Sequence, residues 1–143
     1  MILDGIDLGI GSIVISHSQA VRDEIRIPIN RIDIYSKDNK YKFTFWTQQE
    51  YEKFNALELN QKIDVLHLID DYDIDFSTEE YETINSRENT EMYFTRIDKN
   101  KYIINAKISN FDNCVMGNLN NHKTLELETI IDFNKIEGEV SYE

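Results

Sequence analysis

Ile25-Arg26-Ile27-Pro28-Ile29-Asn30-Arg31-Ile32-Asp33-Ile34-Tyr35 sets isoleucine at nearly every second position, and that period decides the fold class. Successive side chains of a strand point to opposite faces, so a period of two marks a strand with one buried and one wet face. The phase slips by one residue in the middle. Ile25, Ile27 and Ile29 share one parity, whereas Ile32 and Ile34 share the other. A one-residue slip turns every later side chain to the other face, which predicts a bulge or strand break near Asn30. Pro28 cannot donate a ladder hydrogen bond and predicts a strand at the edge of its sheet.

The same period recurs on both sides. Ile13 and Ile15 follow a start punctuated by Gly5, Gly9 and Gly11. Downstream, the polar run Ser36-Lys37-Asp38-Asn39-Lys40 leads into Tyr41, Phe43 and Phe45, a hairpin pattern with Trp46 in the opposite phase. Thr47-Gln48-Gln49-Glu50 has the spacing of a capping box and predicts a short helix ending near Leu57, with Tyr51, Phe54 and Leu57 on one face. The apolar run from Ile63 to Ile69 has strand length. Tyr72, Ile74 and Phe76 then alternate with Asp71, Asp73 and Asp75, before a second capping box, Ser77-Thr78-Glu79-Glu80, predicts a second short helix carrying Tyr81 and Ile84. Met92 and Phe94, the turn Asp98-Lys99-Asn100-Lys101, and Tyr102, Ile104, Ala106 and Ile108 form the clearest hairpin pattern. A loop from Asn110 to His122 precedes Leu125, Leu127, Thr129 and Ile131, which alternate with Glu126 and Glu128, and Val140 and Tyr142 close the pattern. The expectation is a single α+β domain over residues 1–143: a mainly antiparallel, bent sheet or partly open barrel with two short helices.

Composition bounds the functional classes. The chain has 143 residues, 41% of them hydrophobic, which is enough for a packed core and too apolar for a disordered chain. Heavy use of Ile, Asn, Lys, Asp and Tyr resembles AT-rich coding and points to a bacterial or phage source. A formal net charge of −12 opposes nonspecific contact with nucleic acid or an anionic membrane, since both need a cationic face. The single cysteine, Cys114, has no internal disulfide partner, and no apolar run approaches the ~20 residues of a membrane span. With no basic, then apolar, leader pattern after Met1, a cytoplasmic location is expected.

Charge is concentrated in one place. Between Lys62 and Arg87 stand Asp64, Asp70, Asp71, Asp73, Asp75, Glu79, Glu80 and Glu82, with no lysine or arginine among them. Like charges this dense repel one another unless they are solvated or meet a cationic partner. Asp71, Asp73, Asp75 and Glu82 also occupy the first, third, fifth and twelfth positions of an EF-hand calcium loop and in that respect resemble that family. The sixth position, where the loop turns sharply on glycine, is Phe76. Strand alternation accounts for the same three aspartates.

Other motifs are weaker. His17, His67 and His122 show no metal-ligand spacing, and His122 lies eight residues from Cys114 in a polar stretch, a remote nucleophile–base pairing. Gly9-Ile10-Gly11-Ser12 lacks the lysine and helix of a phosphate-binding loop. The Arg22-x-x-x-Arg26 spacing resembles the first half of the cyclic-di-GMP motif of PilZ domains; the second half does not follow, and the family is not carried over.

The function expected from these features is that of a small, acidic, non-enzymatic binding protein that engages a basic protein surface. Inhibitors, immunity proteins and nucleic-acid-mimicking anti-defence proteins are of this type. Asp70, Asp71, Asp73, Asp75, Glu79 and Glu82 would steer association, with Tyr72 and Phe76 as apolar contacts. No cofactor, direct nucleic-acid contact or membrane contact is expected. Two alternatives stand beside it. One is a divalent-metal module or enzyme built on Asp71, Asp73, Asp75 and Glu82; the other is a phage or secretion structural subunit that self-associates through an edge strand.

Overall fold

A computed structural model of the chain describes residues 1–48, 58–64, 69–78, 84–85, 90–112, 122–135 and 138–141. The described residues form twelve strands and no helix: β1 (Ile2–Leu3), β2 (Ile6–Asp7), β3 (Ile13–Arg22), β4 (Ile25–Tyr35), β5 (Tyr41–Gln48), β6 (Lys62–Asp64), β7 (Ile69–Thr78), β8 (Ile84–Asn85), β9 (Thr90–Asp98), β10 (Lys101–Asp112), β11 (His122–Asp132) and β12 (Gly138–Ser141). They pair into two six-stranded sheets. The first has the order β2-β1-β11-β10-β9-β6 and the second β12-β3-β4-β5-β7-β8. All pairings are antiparallel except β12 against β3.

Among the described residues the expected α+β fold is therefore corrected to a mainly antiparallel β-sandwich without helix. Thr47 and Gln48, read as the start of a helix, end β5, where Thr47 pairs with Asn30 on one side and Ile69 on the other. Ser77 and Thr78, read as a second helix start, end β7 opposite Lys42 and Tyr41. A capping box rests on a hydroxyl and a carboxylate three residues apart. A buried threonine beside two flanking strands satisfies its backbone through the ladder instead, and its branched Cβ suits the pleat. Residues 49–57 and 79–83 lie outside the described residues, and Ile84, expected on the second helix, belongs to β8 opposite Phe76.

The core lies between the sheets. Ile15, Ile32, Ile34, Phe43 and Phe45 from the second sheet meet Met92, Phe94, Tyr102, Ile104 and Leu127 from the first. Rings run through it in sequence: Phe43 to Phe45 at 6.1 Å, Phe45 to Phe94 at 6.1 Å across the sheets, Phe94 to Tyr102 at 5.9 Å, and Tyr102 to Phe133 at 5.6 Å. Edge-on and tilted pairs at these separations are favourable beyond their buried area.

The deciding stretch behaves differently from its pattern. β4 pairs with β3 without a register shift from Ile13↔Ile34 to Arg22↔Ile25, so there is no bulge at Asn30. Both parities are used because both faces of β4 are covered. Asn30, Ile32 and Ile34 face the core, and Asn30 Nδ2 donates to Thr47 Oγ1 at 3.4 Å. Ile29, only 2% exposed, lies on the opposite face. Nor is β4 an edge strand: β5 flanks it from Ile29 onward. Pro28 lies just past that last pair, where among the described residues β3 alone is its neighbour.

Turns set the registers. Asp4 and Gly5, with φ of 49° and 82°, close the β1–β2 hairpin, and Asp23 and Glu24, at 49° and 65°, close β3–β4. Two positive φ values are what a two-residue hairpin needs to match strand twist. The β4–β5 hairpin was expected at Ser36–Lys40, and there the Ser36 hydroxyl donates to Asp38 Oδ1 at 2.7 Å while Asn39 adopts φ 63°. That hydrogen bond, with a second from the Lys40 amide, holds the exposed Asp38 carboxyl below its ordinary pKa.

Candidate functional site

The two sheets differ on their outward faces, and that difference selects the site. On the second sheet, Ser16, Ile29, Asp33 and Thr44 are buried although they point away from the core. Asp33, 6% exposed, accepts from Thr44 Oγ1 at 2.6 Å and from Arg31 Nε at 3.2 Å. No described side chain on that face of Ile29–Tyr35 or Lys42–Trp46 is exposed. Trp46, opposite Arg31, lies half-buried there, in the opposite phase to Phe43 and Phe45 as expected.

The first sheet is open to water. Cross-strand partners line up in rows on its outward face. One row runs Asp7, Ile2, Glu126, Lys107 and Glu91 across five strands. The next runs Glu128, Asn105, Tyr93 and Asp64, and a third Ile130, Ile103, Thr95 and Lys62. All seven charged residues of these rows are exposed: five carboxylates (Asp7, Asp64, Glu91, Glu126, Glu128) and two lysines (Lys62, Lys107). Lys107 Nζ is 3.9 Å from Glu126 Oε1, and Lys62 Nζ is 4.9 Å from the centre of the Tyr93 ring. A shallow depression of about 470 Å³ runs along the first row and most of the second and reaches Lys62 of the third. With strands about 4.8 Å apart, the six strands carry this face over roughly 24 Å. Core packing fixes it, because the inward partners Leu125, Leu127, Met92, Phe94 and Ala106 are buried and alternation forces their neighbours outward.

Of the acidic segment read from sequence, Asp64 belongs to β6 of the first sheet, whereas Asp70 to Asp75 lie on the other sheet. Asp70, Asp71, Tyr72, Asp73, Asp75 and Phe76 belong to β7. Ile74 pairs with Phe45, Asp75 with Thr44 and Phe76 with Phe43, after which the next β5 pair is Thr47 with Ile69. Residues 70–73 thus fall within an interruption of the ladder opposite Trp46 alone. The stretch 71–76 is extended strand, whereas an EF-hand loop turns tightly at its sixth residue. Glu79 and Glu82 lie outside the described residues. Among the described residues no group of three or more His, Cys, Asp or Glu is placed to hold a metal ion.

The remaining sequence candidates separate. His17 pairs with Asn30 and His122 with Asp112, while His67 and Cys114 lie outside the described residues. Gly9 to Ser12 is a loop: Gly9 adopts φ 68° and its amide donates to Asp7 Oδ1 at 2.9 Å. Arg22 and Arg26 flank the Asp23-Glu24 turn.

Sequence reasoning did not bring Asp7, Asp64, Glu91, Glu126 and Glu128 together. The local signal was present in Glu126 and Glu128 alternating with leucines, but the assembly depends on strand order. Among the described residues no helix is long and apolar enough to cross a membrane. Comparison with protein-family models, with characterised proteins and with solved structures returned no match.

Proposed function

We propose that this chain is a non-enzymatic binding protein whose acidic outward face meets a basic surface on another protein. The observation that carries this reading is the open face of the first sheet, with five carboxylates against two lysines, on a chain whose net charge is −12. Such a face raises encounter rates with a cationic partner and rejects anionic ones. Tyr93, half-buried at its centre, and exposed Ile2 and Ile130 supply apolar contact among the charges. A partner whose cationic groups normally contact a phosphate backbone fits this pattern, so an inhibitor, immunity or nucleic-acid-mimicking role is the class proposed. A reducing, cytoplasmic setting fits the single cysteine.

The experiment is affinity capture from source and competitor cells at two salt concentrations, using the native chain and two charge variants. D64N/E91Q/E126Q/E128Q removes four of the five carboxylates of the first-sheet face, and D71N/D73N/D75N removes three from the β7 segment. Salt-sensitive capture of one basic protein, lost in the first variant and kept in the second, supports the reading. Loss in the second variant alone moves the surface to β7. Capture unaffected by either variant refutes a charge-guided interaction.

A further inference from the structure

A second groove, of about 490 Å³, has the opposite character to the acidic face. Five isoleucines line it: Ile10 from the loop before β3, Ile13 and Ile15 from β3, Ile97 from β9 and Ile130 from β11. The loop can lie this close because residue 11 is glycine. A Cβ there would stand 2.6 Å from the Ser36 carbonyl oxygen, inside van der Waals contact.

The charges at this groove are Lys101, Lys135 and Asp132. Both lysines are exposed, and neither is held in an ion pair among the described residues. Asp132 is committed elsewhere, its Oδ1 accepting the Asn134 amide at 3.0 Å. Two lysines against one aspartate give this groove a positive balance on a protein with 27 acidic and 15 basic side chains. An apolar floor with a few charged groups at its margin is the usual make-up of a small-molecule site.

We propose that this groove binds a free amphipathic anion, a straight-chain fatty carboxylate, with its chain on the isoleucines and its head group at Lys101 and Lys135. The groove meets the acidic face at Ile130, but its lysines lie outside the rows of that face, and its occupancy does not depend on the partner proposed there. An anion is the occupant favoured because two exposed lysines outnumber the one carboxylate, Asp132, at the groove.

Isothermal titration of the full chain with octanoate, decanoate and dodecanoate, each below its micellar concentration, tests this. Binding of one equivalent is expected, tightening by about two- to fourfold per added methylene as apolar surface is buried. K101Q/K135Q should weaken dodecanoate by about fivefold, the worth of two exposed ion pairs. I130S alters a side chain that is 55% exposed and keeps the fold, and it should weaken the longer chains more than octanoate. Dodecyltrimethylammonium should bind at least tenfold more weakly than dodecanoate. Absence of binding, equal affinity for the cationic amphiphile, or indifference to both variants would overturn the proposal. So would binding to anionic phospholipid vesicles in place of the free carboxylate.

Discussion

Phe94 tests whether the two sheets face one another across a closed core. It is fully buried, with Phe45 of the opposite sheet 6.1 Å away at 65° and Tyr102 of its own sheet 5.9 Å away at 46°. Truncation in F94A removes a whole ring from a packed interior and should cost about 3–5 kcal/mol. F94L restores most of the volume but not the ring pairs, so about 1–2 kcal/mol is expected. Since the stability of a domain is about 5–15 kcal/mol in total, F94A should leave a fold that is present but marginal. The measurement is guanidinium unfolding followed by circular dichroism and by the fluorescence of Trp46, the only tryptophan. A shifted midpoint with unchanged slope identifies a stability change. A double-mutant cycle with F45A isolates the contact between the sheets, for which about 0.5–1.5 kcal/mol of coupling is expected. An F94A cost below about 1 kcal/mol, within the range of ordinary surface changes, would refute the sandwich at this point. So would zero coupling between two individually costly variants, because the rings would then not touch.

Four further outcomes follow from individual contacts. T44V deletes the hydroxyl that donates to the buried Asp33 carboxylate at 2.6 Å and should cost about 1.5–3 kcal/mol by chemical unfolding; no loss would mean that Arg31, 3.1 Å from Asp33 Oδ2, satisfies that carboxylate without Thr44. Burial pushes the Tyr102 hydroxyl above its ordinary pKa of 10.0, with Arg96 pulling the other way, so its contribution is fully present below pH 10 and is lost as pH climbs through the raised value; Y102F should flatten that alkaline fall in stability. E126Q/E128Q should change stability by less than about 0.5 kcal/mol, since the Lys107 contact is exposed and long, while still weakening capture of a basic partner. G11A should cost about 1–3 kcal/mol through its clash with the Ser36 carbonyl, whereas the corresponding change at Gly5, with nothing within 4 Å, carries only the penalty of its φ of 82°.

What was legible in the sequence is the strand content and two hairpins. Ser36–Lys40 and Asp98–Lys101 combine turn residues with strict alternation on both sides, and the structure places β4–β5 and β9–β10 there. The full length of β3 was not legible. Ser16-His17-Ser18-Gln19 is polar on both parities, so no period marks it, and the Asp23-Glu24 turn lacks glycine despite two positive φ values. At Thr47 and Ser77 local hydroxyl chemistry predicted helix starts, but ladder pairing with neighbours distant in sequence prevailed. The apparent phase slip at Asn30 was misread for a related reason. A sequence period reports one buried face, and β4 has side chains buried on both.

Strand order explains why the densest run of acids in the sequence lies mostly on one sheet while the open acidic face, which takes only Asp64 from that run, lies on the other. The acids of β7 are consecutive in the chain, so they stand out in a linear reading. Those of the first sheet come from β2, β6, β9 and β11, spread from Asp7 to Glu128, and become neighbours only through the order β2-β1-β11-β10-β9-β6. Repulsion among five exposed carboxylates opposes folding slightly, and Lys107 lies 3.9 Å from one of them, Glu126. If the acids of this face served stability, replacing Glu91, which stands opposite Lys107, and Glu128 with lysine should lower the unfolding midpoint. If the face serves a cationic partner, the same E91K/E128K change should leave the unfolding midpoint level or raised while slowing association and reversing its salt dependence. Stopped-flow association with the captured partner at several ionic strengths separates the two, and an unchanged salt slope in E91K/E128K would remove this face from the interaction.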